Sequence, residues 1–135
     1  MASRANIDLK YTLIKTYVVG AAANAGRVAK LGAVDTEATN AGANEMGIGV
    51  FLEDAAPGAR VQVAMLAGSS QIKVKVGTGG VTRNAFINCV ANGVANVGTL
   101  GGGTVLKNVI GLALQSGVAG DDVAMLPCPN AAVSA

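Results

Sequence analysis

Ile48-Gly49-Val50-Phe51-Leu52-Glu53-Asp54-Ala55-Ala56-Pro57-Gly58-Ala59-Arg60-Val61 returns later in the chain as Ile110-Gly111-Leu112-Ala113-Leu114-Gln115-Ser116-Gly117-Val118-Ala119-Gly120-Asp121-Asp122-Val123. Ile48 and Ile110, Leu52 and Leu114, Gly58 and Gly120, and Val61 and Val123 keep a constant offset of 62 residues without a gap. An echo at one fixed spacing marks a structural unit used twice. The unit reads as strand, turn and strand. Ile-Gly-x-x-Leu is a short apolar run, Gly58 or Gly120 supplies a residue free to take φ > 0, and Val opens the return. Val61, Val63 and Met65 then alternate with Gln62 and Ala64, as a strand with one buried face requires.

Working outward, a further hairpin precedes each copy. Cys89-Val90-Ala91 and Val94-Ala95-Asn96 flank Asn92-Gly93, the dipeptide that best tolerates the two positive φ angles of a type I′ turn. Val28-Ala29-Lys30 and Ala33-Val34-Asp35 around Leu31-Gly32 form a weaker version. Asn84, Asn88, Asn92 and Asn96 also admit a helical stripe, but Gly93 and the valines at 90, 94 and 97 favour the hairpin. Between the copies, Ile72, Val74 and Val76 share one face of a strand whose other face carries Lys73 and Lys75, and lysines there discourage edge-to-edge pairing. Ile7, Leu9, Tyr11 and Leu13 alternate with Asp8, Lys10 and Thr12, giving either a first strand or an arm that pairs with a neighbouring chain. Asp35 to Asn44 is polar and rich in Gly and Ala, and reads as a loop with room for a short helical turn.

These signals predict a mostly β fold, a small single-domain barrel or sandwich-like fold built from two similar strand-turn-strand halves. Residues 1–16 form the N-terminal arm or first strand, residues 17–126 the β domain, and residues 127–135 a loose tail. A chain of 135 residues is too short for a second independent domain with its own core. That core is poor in volume, because Ala and Gly supply much of the apolar content and Tyr11, Tyr17, Phe51 and Phe86 are the only aromatics. Burial against other chains would compensate, so self-association is expected.

Composition excludes several function classes. With no His in the sequence, neither a Ser-His-Asp nor a Cys-His arrangement can exist, and no catalytic residue is assigned. Cys89 and Cys128 cannot complete a zinc site and read as free thiols, so no metal or other cofactor is expected. Glu53-Asp54 and Asp121-Asp122 are adjacent acids, but neither pair recurs as acids in the other copy, so they read as solvated loop residues. The Gly-rich segments at Gly77 to Gly80 and Gly98 to Thr104 match no phosphate-binding pattern and read as turns. The ten basic residues are spread along the chain, which argues against nucleic acid as a partner. No apolar stretch reaches the ~18 residues needed to span a membrane, and no export signal is visible, so the product is expected in the cytoplasm.

The segments from Ile48 to Gly58 and from Ile110 to Asp121 resemble those of the small Ala/Gly-rich decoration, or cement, proteins of tailed bacteriophage capsids. The resemblance extends loosely from Tyr17 to Leu126, and this chain departs from it in a longer N-terminal arm and in the Asp35 to Asn44 insertion. It implies a compact β fold, usually trimeric, that binds the outer surface of an assembled capsid and reinforces it. The expected function is therefore that of a non-enzymatic virion protein, made in the host cytoplasm, with the major capsid protein and its own copies as partners. Candidate contacts are Ile7, Leu9, Tyr11 and Leu13; Gly58, Asn92, Gly93 and Gly120 are structural turn residues. The alternative is a glycan- or ligand-binding β module for host attachment, disfavoured by the scarcity of aromatic platforms.

Overall fold

A computed structural model describes residues 13–43, 45–67, 71–97 and 106–133; Ile7, Leu9 and Tyr11 lie outside them. The first half holds β1 (Ile14–Val19), β2 (Val28–Leu31), β3 (Glu37–Asn40), β4 (Gly49–Phe51) and β5 (Arg60–Met65). They close into a barrel in the order β1-β3-β2-β4-β5. The second half holds β6 (Ile72–Lys75), β7 (Phe86–Cys89), β8 (Ala95–Val97), β9 (Leu106–Ala113) and β10 (Asp122–Val133), in a sheet ordered β6-β10-β9-β7-β8. The cyclic order is the same. Where β1 runs parallel to β3 through Val19 and Ala38, a single parallel bridge joins Val76 to Ala95 beside β6 and β8.

The duplication thus runs far beyond the quoted echo. Leu52 N–H donates to Gln62 O at 3.0 Å, and Leu114 N–H to Ala124 O at 2.9 Å. Gly58 N–H donates to Val19 O at 2.7 Å, and Gly120 N–H to Val76 O at 3.0 Å. The apolar interior repeats as well. Tyr17 pairs with Val61 and Phe51 with Val63 in the first half; Val74 pairs with Val123 and Ala113 with Met125 in the second. All eight are buried, as are Ala29 and its counterpart Ile87. Part of the volume lost where Val74 and Ala113 replace Tyr17 and Phe51 returns where Ile87 and Met125 replace Ala29 and Val63. A core of the same pattern tolerates such exchanges when much of the volume is kept.

The halves share one core. Val28, Ala41, Val50, Ala64 and Leu66 of the first cluster with Ile72, Cys89, Ile110 and their neighbours in the second. Gly93 sits so close to β2 that a Cβ there would lie 2.7 Å from Val28 O, so only glycine fits. Lys75 N–H donates to Gly26 O at 2.7 Å, and Arg27 Nη1 donates to Asn92 O at 2.9 Å.

The structure departs from the sequence reading in four places. The Leu31-Gly32 hairpin does not return through Ala33 to Asp35; Leu31 pairs with Ala38, so β3 comes from the segment expected as a loop. Its pattern is silent because Ala38 alone is buried on that strand, while Glu37 Oε1 accepts Ala33 N–H at 3.1 Å to hold the longer connection. Asn92 and Gly93 take φ of 64° and 74° as expected, yet the loop has three residues, Ala91–Gly93, closed by Val90 N–H to Val94 O at 2.8 Å. Residues 127–133 are not a loose tail. Instead β10 continues to Val133, paired with Leu106 of β9, and its register shifts between Pro127 and Asn130, where proline withholds donors. Finally, the boundary drawn after residue 16 falls inside β1.

Candidate functional site

The turns that cap the two copies are built alike. Gly58 and Gly120 take φ of 85° and 90°, the left-handed region that the sequence required of them. Before each glycine, side-chain oxygens hold the loop. Glu53 Oε1 accepts Gln62 N–H at 3.2 Å, and Gln115 Oε1 accepts Ala124 N–H at 3.0 Å. Asp54 Oδ1 accepts Ala25 N–H at 2.8 Å, and Ser116 Oγ accepts Arg83 N–H at 2.9 Å. The pair Glu53-Asp54 therefore recurs as backbone acceptors instead of as acids, on side chains that stay exposed in the loop as the sequence reading had them. Asp121 Oδ2 accepts Val118 N–H at 3.0 Å, and Asp122 Oδ1 lies 3.0 Å from Lys75 Nζ.

A cleft of about 390 Å³ opens between the halves, lined in part by Arg27, Asp54, Lys73, Lys75 and Asp122. A second, of about 590 Å³, adjoins it across Arg27 and Lys75. Apart from Lys73, these charged groups are engaged in the contacts that join or cap the halves: Arg27 on Asn92 O, Lys75 on Asp122 and on Gly120 O at 3.4 Å, Asp54 on Ala25. The clefts are thus seams.

Both cysteines are free thiols, as the sequence suggested. Burial pushes the Cys89 thiol up to about 12, with the Glu45 carboxylate adding to the rise, while its Sγ faces Ala41 O at 3.7 Å and Val90 O at 3.2 Å. Burial also raises Cys128. Such groups stay protonated at neutral pH and are poor nucleophiles. Among the described residues, no three His, Cys, Asp or Glu side chains gather.

What the surface offers is apolar. On the second half Phe86 and Leu126 are exposed at 44% and 41%, and both are register partners of half-buried Leu112, so one row crosses β7, β9 and β10. On the first half Leu13, Leu31, Val34 and Met46 are exposed. Of the residues singled out in the sequence, Leu13 is the one described. Its carbonyl accepts Met65 N–H at 2.8 Å, which extends the β1–β5 pairing to residue 13. Leu31, Met46, Phe86, Leu112 and Leu126 were missed. Their signal lay in the repeat: Phe86 aligns with Val28 and Leu126 with Ala64, so a buried position in one copy is an exposed, larger apolar one in the other.

No protein family and no curated protein matches the chain. Among solved structures, it is similar to the crystal structure of the head fiber gp8.5 N base in bacteriophage phi29, with a TM-score of 0.69 and 18% identity over 87% of this chain and 94% of that one. The doubled five-stranded architecture described above is thus a fold shared with that head fiber base.

Proposed function

We propose that this protein is a non-enzymatic structural component of a phage virion that binds the outer surface of the capsid and stabilises it. The observation that carries this reading is the fold match to a head fiber base, which spans nearly the whole of both chains. The apolar rows left exposed on the body agree with it. In this reading the partners are the major capsid protein and further copies of the chain, associated as a trimer. Several weak patches engaged at once then bind tightly, because every contact after the first is intramolecular.

The test is co-sedimentation of the purified protein with empty capsids. Saturable binding at a fixed stoichiometry, together with a higher melting temperature of the loaded shell, is expected. Failure to bind any shell combined with retention on a glycan array would replace this reading with that of a host-attachment module.

A further inference from the structure

The duplication makes the exposed apolar rows interpretable. Inside the chain, the first half presents Val28, Val50 and Ala64, all fully buried, in one cluster with Cys89 and Ile110 of the second half. Ile110 reaches within 3.6 Å of where a Cβ on Gly47 would stand, and the Ala91–Gly93 loop lies against Val28. Carried over to the other copy by the repeat, Val28, Val50 and Ala64 become Phe86, Leu112 and Leu126, the exposed row of the second half. Cys89 and Ile110 become Leu31 and Ile48, and the Ala91–Gly93 loop becomes the connection that holds Val34. Leu31 and Val34 are exposed at 56% and 58%.

Each half therefore presents one face of an internal joint whose mate is not found among the described residues. The two unmated faces are complementary in kind, and both carry apolar groups that water would otherwise solvate. We propose that they mate between copies: the Phe86–Leu112–Leu126 row of one protomer docks on the Leu31, Val34 and Ile48 face of the next, repeating between chains the joint that exists within each chain. The substitutions are concerted, since Phe86 is larger than Val28, Leu126 larger than Ala64 and Leu31 larger than Cys89; the joint between chains is wider and fully apolar. Such an interface is heterologous, so the assembly closes into a ring if the rotation permits.

This inference rests on the self-association proposed above and not on capsid binding. Its test uses the full chain with Leu126→Asp and Leu31→Asp, each at an exposed position, followed by sedimentation velocity. Wild type is expected as a discrete oligomer, and each variant as a folded monomer with self-association weakened roughly tenfold or more. An equimolar mixture of the two variants is expected to yield a dimer of one copy each, because one intact pair of faces survives. Phe86→Ser and Val34→Lys serve as a second pair if either aspartate fails to fold. A monomeric wild type overturns the proposal even if capsids still bind. So does an oligomer that survives Leu31→Asp, or a mixture with no mixed dimer.

Discussion

At Gly58 and Gly120 the backbone takes a left-handed conformation, yet a Cβ added at either would meet nothing within 4 Å. The penalty for a side chain there is thus conformational and not steric. Gly58→Val and Gly120→Val are each expected to cost ~1 kcal/mol or more, and Asn at the same positions less, since Asn visits this region more readily. Urea denaturation of the four variants measures both; equal stability of Val and Gly would mean the turns are not held in this conformation. Cys89 gives a second residue-scale expectation. Folded, its thiol keeps the proton up to about 12, whereas the ordinary value is 9.0. Its contribution is fully present below pH 9 and is lost as pH climbs towards 12, at most ~1.4 kcal/mol per unit. Cys89→Ala is expected to flatten that part of the stability profile. In the native protein a thiol reagent should label half-buried Cys128 well before Cys89, as peptide mapping would show.

At the scale of elements, the strand-turn-strand unit is held by a side-chain oxygen whose charge is incidental. Glu53 and Gln115 make the same bond to the backbone of the returning strand, one as an acid and one as an amide. Glu53→Gln is expected to leave stability nearly unchanged, whereas Glu53→Ala and Gln115→Ala should each lose ~0.5–1.5 kcal/mol, the net worth of an intramolecular hydrogen bond. Thermal melts of the three variants decide it; a Gln that destabilises as much as Ala would show that charge at position 53 matters. The strands themselves differ in legibility. Ile72, Lys73, Val74 and Lys75 alternate cleanly and form β6 as read. In β3, Glu-Ala-Thr-Asn carries no apolar period, because a short strand that closes a narrow barrel needs just Ala38 inside and takes its place from the pairings to β1 and β2.

At the scale of the molecule, the halves are two copies of one five-stranded arrangement that cannot be separated without exposing a shared core. Ile110 is fully buried in that joint, so Ile110→Ala is expected to cost ~2–5 kcal/mol. It should do so in a single transition. Tyr17 reports on the interior of the first half and the Cys89 thiol on the joint, and both should follow the same urea curve. Two separated transitions would mean that the halves fold independently and that the joint contributes little. Capsid binding and self-association would act on the two outer faces, leaving the seam lined by Arg27 and Lys75 as an internal fastening.

Legible in the run of residues were the class of the fold, the duplication at a 62-residue offset, the positive φ angles at Gly58, Asn92, Gly93 and Gly120, and the β6 strand. These are local properties, since alternation and left-handed turns depend on neighbours a few residues away. That the repeat covers five strands on each side emerges from the packed chain, because Tyr17/Val74 and Phe51/Ala113 differ so much in size that the likeness of the letters is lost while the register is kept. Tertiary structure also decided which apolar residues stay outside. Val28 and Phe86 occupy matching places and read alike as strand residues, but Val28 is covered by the second half whereas Phe86 is left exposed among the described residues. Burial is a property of what lies opposite, and nothing in the run of residues around Phe86 records that.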